Sequence, residues 1–171
     1  MKGKSILQSQ YLAALAMLKQ AVVKCPPVVW DDPQDRDPSW FVAYHTLYYA
    51  HRYLGAQAKG YARWEKRRHD KPGNPFSKEE ILEKLALVEC DVKELIPRMD
   101  LDGEAGSLAN QLELQIYNIR HIQQHAGELY ERLSAHRVKL DWASQRNNFE
   151  PSWAQSRRWR HEAASPKEKR K

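Results

Sequence analysis

Apolar side chains in this sequence recur every three or four residues in four separate stretches. Nowhere do they fall into the two-residue alternation of a strand. In the first stretch Leu7, Tyr11, Leu15, Leu18 and Val22 form one stripe, which predicts a helix from about Ser5 to Lys24. Ser5 serves as its N-cap with Gln8 at capping-box spacing, and Pro26 and Pro27 stop it. Asp37 and Pro38 are a cap and a first-position proline for a second helix, running to about Gln57 and rich in aromatics. Residues 59–76 are polar and basic and read as a partly helical loop. Ser77 and Glu80 form another capping box, opening a third helix with Ile81, Leu85, Val88, Val92 and Leu95 on one face and Pro97 at its end. A fourth, from about Ser107 to Arg137, would span about 45 Å. Leu108, Leu112, Ile116, Ile119, Ile122, Ala126, Leu129 and Leu133 are its expected core face. Four amphipathic helices without an internal repeat predict an all-α four-helix bundle with up to two long connections.

The length of 171 residues fits one domain, expected over residues 1–154, followed by a polar basic tail at 155–171. Trp142, Phe149, Trp153 and Trp159 lie beyond the last periodic residue, and some are expected to pack back on the bundle. A mean hydropathy of −0.81 and 29% charged residues exclude an integral membrane protein. The stretch from Tyr11 to Val23 is interrupted by Lys19 and Gln20, so it is neither a membrane span nor a signal peptide. Cys25 and Cys90 are too far apart to form a redox or zinc pair. They read as buried, reduced thiols of a cytoplasmic protein. The net charge of +6 is concentrated at the end: Gln155–Lys171 holds seven basic and two acidic residues, five of the six charges. The remainder is nearly neutral, so nucleic acid is not an expected partner, and the tail reads as a flexible, solvated terminus.

The informative residues are histidines. His121 and His125 stand four apart, so on a helix both imidazoles point the same way. Leu114, Tyr117, His121 and His125 share a sector that borders the apolar stripe, which puts the pair at a half-buried rim. A metal needs a further ligand from a neighbouring helix, and the second helix offers His45 or His51. These two are six positions apart and cannot face the same site. His45, among Val42, Thr46 and Tyr49, is on the face that should look inward. His69, His136 and His161 stand in polar, basic surroundings and read as surface residues. Competing metal chemistries lack their residues. There is no Glu-x-x-His of di-iron bundles, no His-Glu-x-x-His, no paired Cys-x-x-Cys and no glycine-rich phosphate loop.

The segment Trp40-Phe-Val-Ala-Tyr-His45-Thr-Leu-Tyr-Tyr-Ala-His-Arg-Tyr-Leu54 resembles the second-helix signature of DinB-like proteins. His121-Ile-Gln-Gln-His125-Ala-Gly127-Glu128-Leu129 is similar to that family's fourth-helix motif, His-x-x-x-His-x-Gly-Gln/Glu-Leu. The resemblance spans residues 5 to about 137. It implies an antiparallel four-helix bundle in which His45, His121 and His125 hold one divalent metal, and it implies a homodimer. Members with known chemistry use the metal to activate a low-molecular-weight thiol for transfer or isomerisation. The expectation is therefore a metal-dependent transferase or hydrolase acting on a small thiol or similar ligand. The competing expectation is a non-catalytic dimerisation or interaction module with a vestigial site. Three imidazoles suit zinc, nickel or iron and leave positions open for water or substrate. Tyr48, Tyr49, Tyr117, Asn118 and Gln124 are polar neighbours, with the tyrosines read as packing residues. Glu128 is read as a solvated carboxylate in preference to a partner of His125.

Overall fold

The computed structural model describes residues 2–55, 62–66, 74–106 and 108–143. The described residues are mostly helical and form no sheet. Helix α1 is Lys2–Lys24, the short α2 is Pro27–Trp30, α3 is Ser39–Leu54, α4 is Lys78–Leu95 and α5 is Gln111–Ala135, with a 3-10 turn at Ile96–Arg98 after α4. Among these, no helix is long and apolar enough to cross a membrane. The tail at 155–171 and the aromatics Phe149, Trp153 and Trp159 lie outside the described residues.

Side-chain bonds between helices fix their relative directions. Lys4 donates to the Pro97 carbonyl, Gln8 to that of Lys93, and Lys78 to that of Cys25, so α1 and α4 run in opposite directions. Tyr11 bonds Gln115 and Gln20 bonds Tyr130, so α1 and α5 run in the same direction. Gln115 reaches Tyr53 and Asn118 reaches Ala50, which sets α3 opposite to α5, while His51 pairs with Asp91 so that α3 follows α4. Parallel neighbours need a return connection as long as the helix itself. The stretch between Leu54 and Lys78 supplies it for α3 and α4, since a 16-residue helix is about 24 Å long.

The core forms where α1 and α3 each pack on α4 and α5. The predicted stripes of α1 and α4 are in it, with Tyr11, Leu15, Leu18, Ile81, Leu85 and Val88 at 0% exposure. Trp40, Phe41 and Leu47 fill the centre from α3. Each such side chain contributes about 1.5–3 kcal/mol on removal from water. The first half of α5 departs from the apolar pattern: Leu112 and Ile116 are exposed, while Gln111, Gln115 and Asn118 are buried. The reason is hydrogen bonding, since the carboxamides find carbonyls and a tyrosine hydroxyl inside.

Local expectations are met at some helix ends and corrected at others. The Ser77–Glu80 capping box is formed, with Glu80 N–H donating to Ser77 Oγ at 3.2 Å and Ser77 N–H to the Glu80 carboxylate at 2.8 Å. Ser5 lies inside α1, which begins at Lys2. Pro38, not Asp37, precedes α3, and Asp37 instead offers its carbonyl to Arg132. Asn110 caps α5 through Glu113 N–H, three residues later than the expected start. The described parts of 59–76, residues 62–66 and 74–76, are not helical. Cys25 is buried as expected, whereas Cys90 is exposed because it falls on the outer side of α4. Beyond Leu140, Ala143 is buried and Trp142 is half exposed. The Asp141 carbonyl accepts from Gln20 and Tyr130, tying this segment to α1 and α5.

The cap of α4 gives a direct check. Ser77→Ala removes an acceptor from an exposed helix start and should lower stability by about 1 kcal/mol. In a chain of this size that is a fall in melting temperature of about 2–4 °C, readable by circular dichroism.

Candidate metal centre

The site is built by the register of α3 against α5. Asn118 Nδ2 donates to the Ala50 carbonyl at 3.2 Å, and Gln115 Nε2 donates to the Tyr53 carbonyl at 3.3 Å. Tyr11, wholly buried on α1, donates to Gln115 Oε1 at 2.5 Å and holds that carboxamide from the other side. Burial pushes the Tyr11 hydroxyl well above its ordinary pKa, so it remains a donor. With α5 locked by these bonds, the next turns of both helices bring the three histidines together. The His45 ring lies 5.4 Å from that of His121 and 5.0 Å from that of His125, and the latter two are 4.7 Å apart, centre to centre.

One ring nitrogen from each of the three falls within 4.8 Å of the others, close enough to hold a metal ion. All three rings are half-buried, which for His121 and His125 matches the expected rim position. His121 Nδ1 is buried and bonds to no partner among the described residues. An orphaned lone pair beside two further imidazoles is the need a divalent cation would satisfy. The electrostatics agree. Burial, with His125 and His45 as neighbouring like charges, holds His121 down to about 4, so it stays neutral and ready to donate its lone pair at neutral pH.

His125 has an oriented partner. Its Nδ1 lies 3.0 Å from Glu128 Oε2, which leaves Nε2 unprotonated when Nδ1 donates. Glu128 is in turn gripped by Arg132 at 2.6 Å, and Arg132 also reaches the Asp35 carboxylate at 3.2 Å and the Asp37 carbonyl at 2.6 Å. The sequence reading of Glu128 as a solvated carboxylate is therefore corrected. Helical spacing of three residues between His125 and Glu128 was the available signal.

His51 lies elsewhere. It is buried, its Nδ1 is 2.9 Å from the Asp91 carboxylate and its Nε2 is 2.7 Å from the Ala62 carbonyl. Its ring stacks on Trp64 at 4.3 Å and 11°. It joins α3 to α4 and to the 62–66 segment. His136 is exposed, and His69 and His161 lie outside the described residues.

Tyrosines flank His45 and His121. Tyr49 is 4.8 Å from His45 and 5.5 Å from His121, Tyr53 follows Tyr49 at 5.5 Å, and Tyr117 lies 5.8 Å from Tyr53 and 6.3 Å from His121. Tyr49 and Tyr117 are neighbours of the histidines, as expected, and pack against their rings. Tyr48 packs on Tyr44 and Tyr49 and accepts from Arg52. A cleft of about 520 Å³ between α1, α5 and Trp142 has His121 and Gln124 in its lining.

Two measurements follow. In metal-free protein, stability should rise with pH between about 4 and 6.5. The unfolded chain takes a proton on His121 throughout that window while the folded chain does not. His121→Gln should flatten this part of the profile. Gly127 is exposed within α5, and a methyl group there would meet nothing within 4 Å. Gly127→Ala should therefore raise stability by about 0.5–1 kcal/mol and leave metal content unchanged.

No protein-family model matches this chain, no curated protein is similar to it, and no solved structure matches it, so the site is characterised by its own geometry.

Proposed function

We propose that this protein binds one divalent metal through His45, His121 and His125 in a DinB-like antiparallel four-helix bundle. In this reading it is a metal-dependent transferase or hydrolase acting on a small thiol or similar ligand. The observation that carries the reading is the convergence of three half-buried imidazoles, one with an orphaned buried nitrogen. Three protein ligands leave at least one coordination position for an exchangeable molecule, the pattern of a catalytic site rather than a four-ligand structural one. Zinc, nickel or iron suits imidazole donors, and when bound would act as a Lewis acid that lowers the pKa of a coordinated water or thiol. The chain's own contributions are distinct. Burial keeps His121 unprotonated, and Glu128 holds the proton of His125 on Nδ1. The two antiparallel contacts, α1 with α4 and α3 with α5, support the bundle reading.

Metal analysis should find about one equivalent per chain, with His45→Ala, His121→Ala and His125→Ala each losing most of it. His51→Ala should lose stability and keep the metal. Glu128→Gln should weaken metal affinity by about 10–100-fold, the usual effect of removing a carboxylate that orients a ligand histidine. Cobalt-substituted protein should show a new, saturable visible band on addition of a small thiol. Silence toward thiols and azide would favour the non-catalytic, dimerising module.

A further inference from the structure

The segment after α5 runs along the seam between α1 and α5. The Lys139 carbonyl accepts from Lys24 at 2.9 Å. Two residues on, Asp141 bonds Gln20 twice, its N–H donating to Oε1 at 2.8 Å and its carbonyl accepting from Nε2 at 3.2 Å. Tyr130 donates to the same carbonyl at 3.0 Å. The segment therefore travels opposite to both helices. Beyond it the seam continues as the cleft of about 520 Å³, whose lining includes Gln10 and Ala13 of α1, Ile119 and Gln123 of α5, and Trp142 and Ala143 of the segment itself. Further along the same seam stand Ile6, Ile116 and Leu112, exposed by 61%, 46% and 37%. We propose that residues 144–149 continue in this groove as an extended strap, and that Phe149 covers the apolar patch of Ile6, Leu112 and Ile116. The proposal is independent of the metal-centre reading.

Direction, reach and facing carry it. From Lys24 to Gln20 the helix advances about 6 Å, and from Lys139 to Asp141 an extended chain advances about 6.6 Å, so the segment already climbs α1 at the rate of an extended strand. Lys24, Gln20, Ala13, Gln10 and Ile6 recur at helical spacing on one face of α1, and Tyr130, Gln123, Ile119, Ile116 and Leu112 do so on α5. The groove that holds Asp141 is thus the one that ends in the apolar patch. Phe149 is eight residues past Asp141, about 26 Å in extended form. Measured along the helices from the partners of Asp141, Ile6 and Ile116 are about 21 Å away and Leu112 about 27 Å, so the patch brackets the ring. Side chains of an extended chain alternate. Trp142 is 48% exposed and Ala143 only 6%, which turns Phe149 inward with Ala143. The residues between, Ser-Gln-Arg-Asn-Asn, include neither proline nor glycine to turn the chain aside, and their carboxamides suit a cleft lined by Gln10, Gln123 and Gln124.

The test uses the full chain. Phe149→Ala should lower the melting temperature by about 3 °C or more, as loss of a covered aromatic does in a chain of this size. Leu112→Ser/Ile116→Ser should lower it as well, and by clearly less once Phe149 is already Ala, because the three side chains share one contact. Strictly additive shifts, or a Phe149→Ala shift below about 1 °C, would overturn the proposal. A cross-link gives a readout that does not depend on stability. With Cys90→Ser in place, Leu112→Cys/Phe149→Cys should form an intramolecular disulfide on mild oxidation, and Leu112→Cys/Ser165→Cys should not. Equal yields from the two pairs would show a tail with no preferred seat and refute the strap. The other occupant of such a patch is a second copy of the chain. A dimer in light scattering that Ile116→Ser dissociates and Phe149→Ala leaves intact would assign the patch to that copy and overturn the proposal.

Discussion

Asn118 and Gln115 each reach out of α5 to a backbone carbonyl of α3, and both are shut away from water. A buried carboxamide that loses its partner costs about 1–3 kcal/mol, so a pair of them penalises any sliding of one helix past the other. Leucines at the same positions would hold the helices together about as well but would tolerate a shift. Specific register is what the site requires. A slip of one turn, about 5.4 Å, would set one of His121 and His125 at the level of the other and carry the second away from His45. Tyr11 adds α1 to the same network, so three helices agree on one alignment.

On that frame the histidines occupy a boundary between core and water, and the position matters electrostatically. Deeper burial would demand a partner for every ring nitrogen, and full exposure would let each ring protonate near its usual pKa. At the rim, His121 is kept neutral by burial and by its two neighbours, while His125 can draw on a half-exposed carboxylate. The chain from His125 through Glu128 and Arg132 to Asp35 ends in the connection before α3. One ligand's orientation is thus tied to the entry of the helix that carries another.

The helical class, the α4 capping box, the α1 and α4 core stripes and the pairing of His121 with His125 were legible because each follows from spacing along one helix. Spacing left His45 and His51 as alternatives for the further ligand, and the choice of His45 came from the resemblance of the two helix motifs; the structure gives His51 separate partners in Asp91, Ala62 and Trp64. What failed was of two kinds. Hydrophobicity assigned Leu112 and Ile116 to the core of α5, because periodicity cannot see that Gln111, Gln115 and Asn118 would find hydrogen-bond partners across the interface. Cap residues before α3 and inside α1 were misjudged because Asp37 and Ser5 are good caps in isolation, and the surrounding contacts chose other boundaries.

The same-direction packing of α3 with α4, closed by a long return connection, has a consequence for when the protein becomes itself. A chain growing from its first residue completes α1, α3 and α4 while holding one of the three clustered imidazoles. The other two belong to α5, the last of the long helices among the described residues, and α5 has to slot in beside α1 and α3 together. The cluster is therefore a seal set at the end of assembly: no partly folded intermediate that lacks α5 can display it. Any ion captured there is captured by a finished fold.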